Sequence, residues 1–273
     1  MIQLDLDTRL LAENYDELSD YQFDNGRRLL ELLDIRPNSR VLDIGCGTGR
    51  LGLLVAESLG DDGRLIGIDP LPERIRIACS KKAPANARFQ VGVGEDLGFL
   101  DCESIDVVFL SAVFHWIANK EKALREIARV LKPGGRIGLT TGARELAREA
   151  TYRKITDRVL LRLPYNKVVN IEDYVFTRHG VTATQLVQHF LGAKLAVQSV
   201  DIRKRCKYFR SGMEIVDFLE SSTFGNYLQH VPGNLREDAR REIILEFDSL
   251  KAGGQVEFTG FTIFAVAEKP LVD

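Results

Sequence analysis

Between residues 40 and 141 short apolar runs alternate with segments of helical periodicity, and this alternation decides what the chain can fold into. The runs RVLDIG (40–45), RLIGID (64–69), ARFQVGV (87–93), SIDVVFLSA (104–112) and RIGLTT (136–141) have the length and composition of strands. RLGLLVAESL (50–59), LPERIRIACSKKA (71–83) and NKEKALREIARVLK (119–132) space their apolar residues as amphipathic helices do. Pro133-Gly134-Gly135 is expected to close the last of these. Strands joined by helical crossovers pair in parallel, so the stretch predicts a parallel sheet. The fourth run is apolar throughout, as suits a strand covered on both faces.

The flanks read differently. Residues 8–34 predict one helical stretch, with Leu10, Leu11, Tyr15 and Leu18 on one stripe and Leu29, Leu30 and Leu33 on another. After Gly142 come a helical segment (144–163), an irregular one (163–180), a helix (182–192) and a long strand (193–209). Two more helices (212–222 and 234–251) and a β-branched, aromatic strand (256–269) follow. No Gly/Ser/Pro linker interrupts this order. The expectation is one domain over 1–273, with a helical segment over 1–35, an alternating strand–helix core over 36–142 and helical cap insertions over 143–255.

Composition narrows the function. The chain has 37 basic and 39 acidic residues, a formal net charge of −2, which gives no bulk attraction to nucleic acid or to an anionic membrane. No apolar run approaches the roughly 18 residues of a membrane span. The N-terminus lacks a charged-then-apolar leader pattern. Cys46, Cys79, Cys102 and Cys206 form no C-x-x-C pair, and His179, His189 and His230 have no ligand spacing with them. These features predict a cytoplasmic protein with reduced thiols and no metal; a monomer or homodimer is the expected state, with a small-molecule partner. The one dense basic run, Arg203 to Arg210, reads as a solvated edge strand, with an acidic acceptor or carrier protein as the other reading.

The chemistry centres on VLDIGCGTGR (41–50). Glycines at 45, 47 and 49 follow an apolar run and open a helix, the context of a nucleotide-like ligand. A dinucleotide fingerprint asks for G-x-G-x-x-G, but Arg50 stands at the last position; no Gly-Lys-Ser/Thr follows as in a P-loop. Asp69 ends the second strand, where a carboxylate either accepts the hydroxyls of a ribose or caps the next helix.

VLDIGCGTG, GIDP, VGVGEDLGF, SIDVVFLSAVFHWI and ALREIARVLKPGGRIGLTT, in this order over residues 40–142, resemble the motifs of class I S-adenosylmethionine-dependent methyltransferases. FRSGMEIVDFLESSTFGNYLQHVP and FTIFAVAEKP are similar in layout to the trans-aconitate and juvenile-hormone-acid branch of that family. The resemblance implies an α/β, Rossmann-like seven-stranded sheet with helices on both faces and a helical lid. It implies S-adenosylmethionine as cofactor and S-adenosylhomocysteine as product. Asp43, Gly45, Cys46, Gly47 and Gly49 would line the methionine end, Cys46 as a small packing residue. Asp69 and Pro70 would meet the ribose, and Ser111 the methyl donor. Gly94 and Glu95 fall at the adenine position, with Asp96 an alternative; Val93 replaces the polar residue usual before that glycine.

The acceptor residues are Gln22, His115 and Trp116, assigned to catalysis and substrate binding, and Tyr15. Tyr15, Ser19 and Gln22 are spaced to share a helix face. Trp116, the single tryptophan, either fills the core or lines the acceptor pocket. A carboxylate acceptor is already ionised at neutral pH and needs no base. A phenol, amine or thiol would need one, and His115 is then the candidate. A cofactor-binding protein without turnover is the remaining alternative.

Overall fold

A computed structural model describes residues 3–173 and 180–271. His179, named above, lies outside them. The chain divides into two compact units.

The sheet unit comprises Asp20–Thr141, Val181–Ile202 and Ile263–Asp273. Its strands are β1 (Arg40–Ile44), β2 (Arg64–Asp69), β3 (Ala87–Val91), β4 (Ile105–Ser111) and β5 (Leu131–Gly142). Two long strands, β6 (Ala196–Phe209) and β7 (Val256–Glu268), run on into residues of the other unit. The sheet order is β3-β2-β1-β4-β5-β7-β6. β1 pairs in parallel with β2 and β4, β2 with β3, and β4 with β5. β7 opposes β5: Gly134 N–H donates to Lys269 O while Ala143 N–H donates to Phe261 O, so the two numberings run in opposite senses. The sheet is therefore mixed, with a chain reversal of order between β1 and β4.

Burial explains the strand sequences. Val41, Leu42, Ile44 and the run Val107–Leu110 are buried on both faces, so they carry no polar alternation. Helices α2 (Asp20–Leu30), α3 (Arg50–Ser58), α4 (Pro72–Ser80), α5 (Lys120–Val130) and α7 (Ala183–Gly192) belong to this unit. Leu29, Leu33, Val55, Ala56 and Ala78 form one cluster with Val41, Leu65, Val107, Phe109 and Phe264. Each fully buried aliphatic or aromatic side chain here is worth about 1.5–3 kcal/mol of transfer free energy.

The helical unit comprises Met1–Ser19, Gly142–Gly180 and Arg203–Thr262. α1 (Arg9–Leu18) packs on α8 (Gly212–Ser222), and α9 (Gly233–Asp248) packs on α8 and on α6 (Thr151–Leu160). Arg153 on α6 is buried; its guanidinium meets Asp157 at 2.7 Å and donates to Ile171 O at 3.0 Å. Lys207, from the basic run, donates to Leu18 O at the end of α1 (3.0 Å) and lies over the Phe209 ring. A cation there complements the carbonyl end of a helix. Arg203, Arg205 and Lys207 are half-buried while Lys204, Cys206 and Tyr208 are exposed, the alternation of a one-faced strand. No described helix is long and apolar enough to cross a membrane.

The segment expected to be helical over 144–163 is a 3-10 stretch (Arg144–Glu149) and then α6, broken at Ala150, and two further departures lie in the sheet unit or at its border. The helical stretch over 8–34 is interrupted at Ser19, whose N–H still donates to Tyr15 O (3.1 Å) but whose backbone leaves the helical region. Tyr15 and Gln22 therefore sit on different helices, and in different units. β5 starts at Leu131, five residues before the expected Arg136, because Leu131 pairs with Ile105 and the following Pro-Gly-Gly is bonded to β7 through Lys269.

Candidate active site

The carboxyl ends of β3, β2, β1 and β4 are neighbours along one sheet edge, and each is followed by a loop carrying predicted site residues, all within the sheet unit. Ligands of doubly wound sheets lie at that edge, where the strand order reverses.

The β1 loop is held by backbone bonds. Gly45 N–H (2.7 Å) and Cys46 N–H (3.0 Å) both donate to Ile68 O, and Gly49 N–H donates to Cys46 O (2.9 Å). Gly45 has φ +74° and Gly49 φ +80°, conformations that favour glycine. Space adds to the requirement at Gly45, where a Cβ would stand 2.2 Å from Val113 Cγ2. At Gly49 a Cβ would stand 3.0 Å from Ala78 Cβ. Both glycines are thus demanded by the protein's own packing, a reason the sequence did not disclose.

Asp69 is buried at the end of β2. Its Oδ2 accepts Gly47 N–H and its Oδ1 accepts Leu71 N–H, each at 2.9 Å. The second bond shapes the turn through Pro70 that leads into α4, so the capping role stands beside any ligand role. Asp43, on β1, is 2% exposed, and its Oδ2 has no hydrogen-bond partner among the described residues. Burial, with Asp69 close by, holds the Asp43 carboxyl well above the usual carboxylate range. The same burial, then Asp43 and Asp69, push the Cys46 thiol up. Cys46 is therefore a packing residue and no thiolate nucleophile.

After β3, Gly94 is buried; a Cβ there would stand 3.1 Å from Ile44 Cγ2. Val93 beside it is 40% exposed. Glu95 accepts Asn119 N–H (3.3 Å) at the start of α5, and Asp96 accepts Gly98 N–H (3.2 Å). After β4, Ser111 faces α2 at Gly26, where a Cβ would be 2.9 Å from Ser111 Oγ. Ala112 takes φ +60°, and its N–H donates to Thr140 O (3.0 Å) and Thr140 Oγ1 (2.9 Å). A short 3-10 turn, Phe114–Trp116, follows. His115 and Trp116 are half-buried, their rings 4.7 Å apart, and His115 Nδ1 lies 3.0 Å from Thr141 Oγ1. Gln22 is half-buried on α2 of the same unit; Tyr15 lies on α1 of the helical unit. Val113 and Thr141, which support the loop and the histidine, escaped the sequence reading. The pairing of β4 with β5, Ser111 opposite Thr140, is the feature that brings Thr141 near. No cluster of metal-ligating side chains occurs among the described residues.

Known proteins share this stretch of sequence and this fold. A methyltransferase domain family matches residues 42–139. An uncharacterized methyltransferase of Mycobacterium tuberculosis is 36% identical over 106 residues, covering 39% of this chain and 41% of its own length. The nocamycin O-methyltransferase of Saccharothrix syringae is 36% identical over 117 residues, covering 42% of this chain and 41% of its own. The matched stretches thus span about two-fifths of these relatives. The crystal structure of the YcgJ protein of Bacillus subtilis superposes with a TM-score of 0.61 at 22% identity, covering 93% of this chain and 100% of that one, and so shares the fold. Residues 42–139, which carry the glycine loop on β1 and the acid ending β2, match the methyltransferase domain family.

Proposed function

We propose that this protein transfers the methyl group of S-adenosylmethionine to an oxygen of a small-molecule acceptor, a carboxylate foremost. The observation that carries the reading is the position of His115 and Trp116. They leave β4, the strand next to the one that ends in the glycine loop.

The residues fit the cofactor. Gly45, Gly47 and Gly49 would bind its methionine end, with Asp43 and Asp69 supplying negative charge near the sulfonium and ammonium. Asp69, which has four lone-pair sites on its carboxylate, would take the ribose hydroxyls as well as the loop. Glu95 and Asp96 already serve backbone N–H groups, so Val93 would meet adenine as an apolar surface. Ser111 would stand beside the donor sulfur. When bound, the cofactor supplies a methyl group already activated by its positive sulfur.

The chain's task is then to hold the acceptor in line and keep water out. Trp116 would provide an apolar wall, and Gln22 and His115 polar contacts that orient the acceptor. An ionised carboxylate asks for no proton removal, and its charge is neutralised as it reacts with a sulfonium in a dry site. The O-methyltransferase among the relatives supports an oxygen acceptor.

The test is incubation with methyl-labelled cofactor and a panel of carboxylic acids, phenols, amines and thiols. Carboxylate methylation yields an ester whose label is released as methanol by mild alkali. Label that resists alkali would move the acceptor to another class. Failure to take up the cofactor in equilibrium dialysis would end the reading.

A further inference from the structure

We propose that the cleft between α5 and α7 is a binding site for a small carboxylate that also carries an amide. None of the residues lining it is among those that would hold the cofactor or the methyl acceptor.

The two helices pack on each other within the sheet unit. Between them lies a cavity of about 400 Å³, within the range of sites that hold small molecules. Glu121 and Arg125 of α5 line it from one side, and Gln185, Gln188 and His189 of α7 from the other. At Gly192, where α7 ends, a Cβ would meet nothing within 4 Å, so that end of the cleft is open.

The packing leaves Arg125 without its natural partner. Glu121 stands four residues before it, the spacing and order at which oppositely charged side chains pair along a helix. Glu121 instead meets His189, its Oε1 3.3 Å from Nδ1. His189 in turn lies edge-on to the buried Phe114 ring, with centroids 5.9 Å apart. Phe114 thus holds His189, and His189 holds Glu121. The Arg125 guanidinium is exposed and has no hydrogen bond or ion pair among the described residues.

The glutamines add donors. Gln185 Oε1 accepts Thr182 N–H (3.0 Å) in the capping box of α7, so its amide NH2 is the end left for the cleft. The exposed Gln188 amide has no hydrogen bond among the described residues and offers both a donor and an acceptor. A guanidinium fork matches the two oxygens of a carboxylate. The amides beside it match an amide of the same ligand. The Glu121 charge, one turn from Arg125, opposes a doubly charged phosphate more than a singly charged carboxylate.

The test is a titration of the full-length protein with N-acetylglycine, read by saturation-transfer NMR. N-acetylglycine should bind, and its neutral analogue N-acetylglycinamide should not. Arg125→Gln, an exposed substitution that leaves the core intact, should weaken binding roughly tenfold or more. Glu121→Gln should tighten it roughly twofold to fivefold, by removing the opposing charge. His115→Gln should leave the titration unchanged, which separates this cleft from the proposed acceptor site. Three results would overturn the proposal: no binding of N-acetylglycine, equal binding by Arg125→Gln and wild type, or displacement by an equal concentration of inorganic phosphate. Loss of binding in His115→Gln would likewise overturn it, by moving the ligand to the acceptor site.

Discussion

The carboxylate of Asp69 accepts the N–H of Gly47 at 2.9 Å, joining the end of β2 to the middle of the glycine loop across 22 residues. The same side chain that would hold a ribose therefore shapes the loop that would hold the methionine end. Asp69→Ala should lower cofactor affinity tenfold or more, because charge-assisted bonds are worth about 1.5–3 kcal/mol. It should also lower stability without cofactor by about 2–4 kcal/mol, since the buried N–H groups of Gly47 and Leu71 lose an acceptor. Calorimetric titration reads the first effect and urea denaturation the second. A residue that only touched the ligand would leave the urea midpoint unchanged.

The loop's shape also depends on Val113. Gly45→Ala meets two obstacles, the φ of +74° and the Val113 side chain 2.2 Å from the new carbon. Together they should cost about 2–5 kcal/mol, from backbone strain and overpacking. Adding Val113→Ala should return the overpacking share and leave about 1–2 kcal/mol of strain. Equal stability of the single and double variants would show that the valine is not the obstacle.

His230, in the helical unit, reports on acid stability. Burial first, then Arg153, pushes it down from 6.5 to about 4, with Arg236 acting in the same sense and Asp173 opposing. A histidine depressed on folding stabilises the protein above its unfolded value, and that contribution is lost as pH falls through the folded one. The window is thus about pH 6.5 down to about 4. Across it, wild type should lose about 2–3 kcal/mol more than His230→Gln, at about 1.4 kcal/mol per unit. Urea midpoints at both ends of the window measure the difference.

Thiol labelling separates the four cysteines. Cys79, Cys102 and Cys206 are exposed, whereas Cys46 is buried and its thiol is pushed up by that burial. Iodoacetamide should modify the three exposed thiols in the native protein and Cys46 only on unfolding. Mass spectrometry of the modified peptides gives the answer, and early labelling of Cys46 would mean that the loop opens.

How much of this could be read from the chain itself varies with the kind of interaction. β2 stands at Arg64–Asp69 and α8 at Gly212–Ser222, as their patterns predict, because each is an unbroken local run with its own period. The stop at Ser19 was hidden, since the apolar stripes continue through it and only the backbone geometry shows the change. The early start of β5 was hidden because Lys269, far along the chain, holds the Pro-Gly-Gly segment in the sheet. Asp43, Asp69 and the glycines are legible as a motif, but the reasons for Gly45 and Gly49 lie in Val113 and Ala78, which only folding brings close. The support of His115 by Thr141 is of the same kind: neither residue predicts the other until β4 and β5 pair.

The sheet order has a consequence for biogenesis. β7 lies between β5 and β6, yet it is translated after both. On a ribosome that releases the chain from its N-terminus, β6 emerges before its neighbour exists, and the outer edge of β5 stays open. Neither edge can be closed until the segment from Val256 to Glu268 has been made. Nascent chains arrested before Val256 should therefore be the ones that aggregate or recruit chaperones.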